Sequence, residues 1–401
     1  MPMLSVDEAL ARVQSGLEPT GSETIPLEEG HGRVLAHGVA ARMTQPPFNA
    51  SAMDGYAVCA DDLASIPCEL SVIGEAAAGH PFDGEVASGQ AARIYTGGAV
   101  PAGADTIVIQ EETERKGDRV TIKQASAHGA YIRPRGYDFA EGDILLEAGR
   151  RLGARDLALA AAMNVTHFKV RRKPSVAILA TGDELVMPGG DLKAGQIVSS
   201  IPFGLGAMVE NAGGLPERMG IARDTRESLS EHIARAREAD ILLTIGGASE
   251  GTHDLVQSAL RAAGMTLDFW KIAMRPGKPL MFGQVGDQRV LGLPGNPVSA
   301  LVCAQVFLIP MLEKLLGIKD GAAGLKTAVL ASELVKNGQR QHYMRAIFEN
   351  GSDGMRCVRP VSSQDSSLLS PLSQADCLIV RPPHAPAVAA GDTVAILPLD
   401  F

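Results

Sequence analysis

Three apolar runs in the middle of the chain predict buried β-strands. They cover 175–180, 240–245 and 290–293, and a turn that contains glycine follows each of them. A helical pattern starts near residue 253, after the second turn, and an apolar one runs over 298–316 after the third. Strands of this kind form parallel sheets whose carboxyl ends share one crevice. The pattern therefore predicts an α/β domain with a polar crevice at one edge of its sheet.

The turn after the third strand carries the most informative motif, GLPGNPVSA, which ends at residue 300. Asn296 is a favourable N-cap, and Pro297 suits the first helical position because the N–H that it lacks is not needed there. A strand, a tight turn and a helix start form an anion site in many open α/β sheets. The preceding PGKP motif places the cation of Lys278 nearby. A purely structural turn is the alternative, but repetition of the arrangement at three strand ends favours a ligand site.

The rest of the chain divides into regions of different pattern. The pattern of residues 1–40 predicts helix with a break near 30–32. Ser5 and Glu8 have the spacing of a capping box at its start. Short β runs and glycines between 51 and 125 predict a β-rich lobe. Helix is predicted again at 155–163, and short strands resume after a linker at 321–324.

Composition excludes several classes of protein. With 401 residues, 45% hydrophobic and 21% charged, the chain is globular and long enough for several domains. A net charge of −9 and only 4% aromatic residues argue against a nucleic-acid or membrane partner. The five cysteines form no CxxC motif, which predicts neither disulfides nor zinc and favours a reducing, cytoplasmic location. The longest apolar run, 300–311, predicts a buried helix, and we expect no run of transmembrane length.

Carboxylates and lysines lie near the predicted crevice. Glu184, Asp224 and Asp254 occupy turns or first helical turns, where carboxylates suit Mg²⁺ together with substrate phosphate oxygens. Lys271 and Lys278 suit phosphate or another oxyanion. Structural alternatives stay open, because Asp224 fits a capping box and Asp254 can complement a helix dipole. The chain has neither a G-x-G-x-x-G nor a P-loop motif, which disfavours a Rossmann dehydrogenase or a P-loop NTPase.

Seven motifs, taken in order, resemble those of one family. They are SAMDGYAV, RIYTGG, R-x-RG-x-D, ATGDEL, GGAS, RPGKP and GLPGNPVSA. In this order they resemble the MoeA family of molybdopterin molybdenumtransferases, to which the gephyrin E domain also belongs. The resemblance covers nearly the whole chain and implies a multidomain α/β plus β fold.

The implied fold has four parts: an elongated segment (1–40 and 140–173), a β-rich lobe inserted into it (41–139), a molybdopterin-binding α/β domain with a parallel sheet (174–318) and a small C-terminal β-barrel (325–401). The resemblance also implies a homodimer, in which each active cleft lies between the α/β domain of one subunit and the β-rich lobe of its partner. Other molybdenum cofactor biosynthesis proteins and molybdoenzymes are further implied partners.

The implied reaction inserts molybdate into adenylylated molybdopterin with hydrolysis and release of AMP, and Mg²⁺ is the implied cofactor. The residues carried over as catalytic are Asp54, Thr96, Asp138, Glu184, Asp224, Asp254, Lys271 and Lys278. Of these, the implied metal ligands are Glu184, Asp224 and Asp254. The residues carried over as binding the pterin or its phosphate, or as shaping the turn, are Gly246, Gly247, Ser249, Arg275, Pro294, Gly295, Asn296 and Pro297.

The chain departs from the family pattern at several positions. Tyr137 stands where a Glu is expected, and Ile201 and Ile245 replace polar residues that we expect near the ligand crevice. Two alternative functions therefore stay open. One is a divergent paralogue that binds molybdopterin without inserting metal, and the other is a gephyrin-like scaffold.

Overall fold

The computed structural model of the protein describes residues 3–246, 255–319, 324–350, 354 and 356–399. Its helices are α1 (Val6–Gln14), α2 (Ala154–Ala162), α3 (Ile201–Asn211), α4 (Arg226–Arg235), α5 (Leu255–Ala262), α6 (Pro297–Cys303), α7 (Ile309–Leu315) and α8 (Leu369–Ser373). The predicted capping box at Ser5 is present at the start of α1.

The strands before residue 173 are β1 (Ser22–Pro26), β2 (Val39–Ala40), β3 (Ala50–Ser51), β4 (Gly55–Val58), β5 (Cys68–Ala76), β6 (Gln90–Ile94), β7 (Thr106–Ile109), β8 (Thr113–Lys116), β9 (Arg119–Ile122), β10 (Ile132–Arg133), β11 (Ile144–Leu146) and β12 (His167–Arg171). The later strands are β13 (Ser175–Thr181), β14 (Leu185–Val186), β15 (Ile197–Val198), β16 (Leu215–Ala222), β17 (Ile241–Ile245), β18 (Thr266–Trp270), β19 (Met274–Arg275), β20 (Met281–Val285), β21 (Gln288–Leu293), β22 (Lys326–Leu330), β23 (Gln341–Asn350), β24 (Arg356–Pro360), β25 (Cys377–Arg381) and β26 (Thr393–Pro398).

The three predicted buried strands are confirmed as β13, β17 and β21. They lie side by side and parallel in a six-stranded sheet of order β16-β13-β17-β21-β20-β18, in which β20 runs antiparallel to both of its neighbours. Residues 176–180 and 241–245 are buried on both faces, because helices pack against both sides of the sheet. The carboxyl ends of β13, β17 and β21 therefore meet at one edge.

A long apolar helix packs against this sheet. It runs over Pro297–Leu315 through α6, a π-helical segment at Ala304–Leu308 and α7. Pro310 has no N–H to donate to the preceding turn, which accounts for the local rewinding. The predicted buried helix is confirmed. Among the described residues, this helix alone has the length and composition to cross a membrane. However, 83% of it is buried inside the protein, as a core helix is.

The N-terminal region pairs with a distant part of the chain. Strand β1 pairs with β12 and β2 pairs with β11, so residues 22–40 and 144–171 build one unit. The prediction of helix across residues 1–40 was wrong after α1, because strand pairing replaces helix from Ser22 onward. A six-stranded sheet of order β7-β4-β6-β5-β9-β8 forms the β-rich lobe between them.

The C-terminal strands form the expected small barrel. The pairing runs β23-β24-β22-β26-β25, and β25 pairs back to β23, which closes five strands on themselves. Strand β19 adds to β23 in parallel, with Arg275 opposite His342. This pairing joins the barrel to the α/β domain just before the PGKP turn.

Candidate active site

A cavity of about 770 Å³ lies at the carboxyl edge of the α/β sheet. The turns that follow β13, β17 and β21 form its floor, as the strand pattern predicted. Its lining in the described part of the chain consists of Thr181, Gly182, Glu184, Ile197, Asp224, Gly246, Leu255, Val256, Pro279, Pro294, Gly295, Asn296 and Ser299. Six of the residues singled out from the sequence are in this set: Glu184, Asp224, Gly246, Pro294, Gly295 and Asn296.

Two glycines let the turns come together at the cavity floor. A Cβ at Gly182 would lie 2.4 Å from Oε2 of Glu184, so the carboxylate occupies the space of a side chain there. Gly246 has φ of +92°, and a Cβ on it would lie 2.9 Å from the carbonyl oxygen of Thr181. Larger residues would push the Glu184 carboxylate away and separate the ends of β13 and β17.

Asp224 lines the cavity and is not the N-cap of α4. The N-cap of α4 is Thr225, whose hydroxyl accepts a hydrogen bond from the N–H of Ser228 at 3.2 Å. The capping-box alternative for Asp224 was therefore wrong by one position. The backbone N–H of Asp224 donates to Oδ1 of Asp183 at 3.4 Å, which ties the turns after β13 and β16 together.

The turn before α6 also receives a contact from the C-terminal barrel. Asn296 occupies the N-cap position of α6, as predicted, but its side chain makes no capping hydrogen bond. Its Nδ2 instead donates to Oγ of Ser366 at 3.0 Å, and the N–H of Val298 donates to the carbonyl oxygen of Ser366 at 3.1 Å. The barrel loop thus contacts Asn296, which lines the cavity.

Sequence reasoning missed the residue that shapes this loop, Arg345. Arg345 is 1% exposed, and its guanidinium donates to the carbonyl oxygens of Ser363, Asp365 and Leu368 at 3.0–3.1 Å. Burial lowers its pKa, and the nearby Asp365 acts in the opposite direction. The available signal was an arginine beside the apolar residues 346–348 of β23, because buried cations need dedicated acceptors.

The basic residues carried over by resemblance lie on the segment between β18 and β20. Lys271 has φ of +98°, and its Nζ lies 4.8 Å from the centre of the Trp270 ring. The carbonyl oxygen of Lys278 accepts from the N–H of Ile272 at 3.1 Å, which closes this segment. Neither lysine is among the cavity-lining residues, although the neighbouring Pro279 is. Arg275 is exposed on β19, and Pro297 is the first residue of α6.

Asp54 and Thr96 lie together in the β-rich lobe. The N–H and the hydroxyl of Thr96 both donate to Oδ1 of Asp54 at 2.8 Å. These two bonds, followed by the charge of Arg93, hold the pKa of Asp54 below its usual value. Asp138 is exposed on the linker, where its N–H donates to the carbonyl oxygen of Gln45 at 3.0 Å. Within one described chain, no residue of the lobe lines the cavity that contains Glu184 and Asp224.

Three predicted site residues, Gly247, Ser249 and Asp254, lie outside the described residues. The described ranges hold no cluster of three metal-ligating side chains, so the trio of Glu184, Asp224 and Asp254 stays a prediction. Ile245 is 3% exposed within the apolar core, and Ile201 packs against the same core. Both isoleucines therefore belong to the apolar packing of the domain, whereas Tyr137 is 69% exposed on the linker.

Comparisons with known proteins cover the whole length of the chain. Three family models match: the MoeA N-terminal region (domain I and II) at 4–164, a probable molybdopterin binding domain at 177–314, and the MoeA C-terminal region (domain IV) at 327–399. A molybdopterin molybdenumtransferase of Haemophilus influenzae is 35% identical over 99% of both chains. A molybdopterin molybdenumtransferase 2 of Mycobacterium tuberculosis is 34% identical over 97% of this chain and 98% of the relative.

Solved structures agree with the sequence matches. A molybdopterin biosynthesis MoeA protein of Pyrococcus horikosii superposes with a TM-score of 0.84 at 32% identity, over 99% of both chains. A second MoeA structure, from Pyrococcus horikoshii OT3, gives a TM-score of 0.87 at 28% identity, over 99% of this chain and 100% of the other.

Proposed function

The chain belongs to the MoeA family, and from this membership we propose that it is a transferase that inserts molybdenum into molybdopterin, with release of AMP. The observation that carries the proposal is the placement of two carboxylates, Glu184 and Asp224, on one cavity beside the start of the α6 helix. Adenylylated molybdopterin and molybdate are the proposed substrates. Each of the two pterin thiols loses its proton and forms an S–Mo bond. One molybdate oxygen takes up these two protons and leaves as water. A separate water molecule hydrolyses the bond that joins AMP to molybdopterin.

The cavity fits a phosphate-bearing ligand together with a divalent cation. Mg²⁺ takes one or two protein carboxylates and completes its shell with water and phosphate oxygens. The exposed carboxylates of Glu184 and Asp224 meet that need. When bound, Mg²⁺ would neutralise phosphate charge and so ease cleavage of the bond to AMP.

The remaining residues bind and orient the ligand. The turn at Pro294, Gly295 and Asn296 opens the helix that runs to Leu315, whose dipole favours an anion at this end. Lys271 and Lys278 are proposed to balance the charge of molybdate or phosphate as the bonds change. Gly246 lets a ligand come close to the backbone at the end of β17.

We propose that a homodimer completes this site. Asp54, Thr96 and Asp138 lie on the lobe and linker, and in the described chain none of them lines the cavity. A second copy can bring its lobe to the open edge of the cavity and add the Asp54 carboxylate. A cytoplasmic location is also proposed, and the five cysteines, which are all free, support a reducing environment.

The test is AMP release from adenylylated molybdopterin by the purified protein with Mg²⁺, with and without molybdate. We expect molybdate-dependent AMP release and formation of cofactor that activates an apo-molybdoenzyme. A Glu184→Gln variant is the matched control, because it keeps the shape of the side chain and removes its charge. Tight binding of the substrate without molybdate-dependent AMP release would instead support a binding-only paralogue.

A further inference from the structure

The turn that carries Asp54 is held by a closed set of hydrogen bonds in the β-rich lobe. The carbonyl oxygen of Asp54 accepts from the N–H of Gln110 at 3.0 Å. The next carbonyl, that of Gly55, accepts from Nη1 of Arg93 at 3.2 Å. Arg93 Nη2 donates to Oε1 of Gln110 at 2.7 Å, which links the two supports to each other. The turn is therefore tied on one side to β6 and on the other to the residue after β7.

Strand β4 lies close to β7 where it leaves this turn. A Cβ on Gly55 would lie 2.0 Å from the carbonyl oxygen of Val108, so β4 and β7 approach each other closely at this point. The side-chain amide of Gln110 is oriented at both ends, because its Nε2 donates to Oε1 of Glu111 at 3.4 Å. Its carbonyl end must then face Arg93.

Arg93 is itself fixed by two aromatic rings. Its guanidinium carbon lies 5.2 Å from the ring centre of Tyr56, its direct cross-strand neighbour, and 4.9 Å from that of Tyr95. A planar guanidinium between rings keeps one orientation, and its fork reaches two acceptors at once. A lysine ammonium is a single point and cannot reproduce this bridge.

We infer that Arg93 and Gln110 are positioning residues for the Asp54 carboxylate and act as one unit to aim it. This inference rests on the proposed function, in which Asp54 serves the reaction. Arg93 also supplies positive charge to Asp54. The charged or titratable side chains around the turn are Arg93 and Tyr95 on β6 and its edge, Tyr56 on β4 and Glu111 after β7.

The kinetic experiment compares Arg93→Met, Gln110→Met, the double variant and Arg93→Lys. We expect each to lower kcat by roughly 10- to 100-fold with KM within about threefold of wild type. The double variant should lose no more than the worse single variant, because the two side chains form one unit. Arg119→Met, an exposed change on the same lobe, is the control and should leave kcat unchanged.

The second readout needs no turnover: the ¹³C resonance of the Asp54 carboxyl, followed against pH in the intact protein. Arg93→Met should raise the midpoint of this titration, whereas Arg93→Lys should keep it near wild type and still show low kcat. This difference distinguishes the effect of the Arg93 charge from the effect of the orientation that Arg93 gives to the Asp54 carboxylate. If folded Arg93→Met keeps wild-type kcat, or if its Asp54 titration is unchanged, the inference is wrong. A wild-type protein that releases no AMP would overturn the proposed function alone, and the Asp54 titration would still decide the role of Arg93.

Discussion

Thr96 holds Asp54 through two hydrogen bonds to the same carboxylate oxygen, each 2.8 Å long, one from its backbone N–H and one from its hydroxyl. The two residues are 42 positions apart and lie at the ends of neighbouring strands. Double donation to one oxygen stabilises the ionised form of Asp54 and lowers its pKa. The pair is thus set to present a carboxylate rather than a carboxylic acid.

Replacing Thr96 by Val tests this arrangement, because valine keeps the shape and the backbone N–H but removes the hydroxyl. We expect the pKa of Asp54 to rise and yet stay below its ordinary value of 3.8, since the backbone bond contributes most to the shift. A carboxylate is ionised above its pKa, so the acid limb of AMP release should move to higher pH. Measurement of the Asp54 titration and of the pH–rate profile checks this. Thr96→Ser keeps the hydroxyl and should behave like wild type.

Asp224→Asn should separate catalysis from helix capping. We expect turnover to fall by roughly tenfold to a thousandfold, or about 1.4–4 kcal/mol of transition-state stabilisation. Thermal stability should stay unchanged because Thr225, not Asp224, caps α4. The matched variant, Thr225→Ala, should lose about 1 kcal/mol of unfolding free energy and keep its turnover. Near wild-type turnover of a folded Asp224→Asn protein would remove Asp224 from the site.

Complementation between two inactive variants tests the shared cleft. Asp54→Ala and Glu184→Ala should each abolish AMP release, whereas subunits of both kinds, mixed and allowed to exchange, should regain activity. If the cleft is shared across subunits, each mixed dimer has one cleft that carries neither change. Verified exchange without recovery would show that each chain supplies its own Asp54.

His342 should make the protein sensitive to acid. Burial and then the nearby charges of Arg275, Arg340, Arg381 and Arg345 lower its pKa from 6.5 to about 4. Below pH 6.5, His342 binds a proton in the unfolded chain but not in the folded chain. The unfolding free energy should therefore decrease as the pH falls.

The expected slope is up to about 1.4 kcal/mol per pH unit, and it ends near the folded pKa. Urea unfolding between pH 7 and 4 should therefore show a shallower slope for His342→Gln than for wild type. His128→Gln, whose side chain is 77% exposed, is the control and should keep the wild-type slope.

The sequence by itself determined the local elements and the edge at which the cavity forms. Buried runs predicted β13, β17 and β21, and the proline at 297 marked the start of a helix, because periodicity and backbone restrictions act within a few residues. Where several local conformations compete, the sequence alone predicted the wrong secondary structure. Residues 22–26 and 39–40 form strands rather than helix, because they pair with strands that lie more than a hundred positions away.

Only the tertiary structure decided how distant residues meet. Asn296 bonds Ser366 across 70 positions, the barrel closes through β23 and β25, and Arg345 is buried where three carbonyl oxygens can accept from it. No local pattern encodes these contacts, because they arise when separate elements pack and buried polar groups must find partners. For the same reason the sequence placed Asp54 and Thr96 in turns, and packing alone made them a hydrogen-bonded pair.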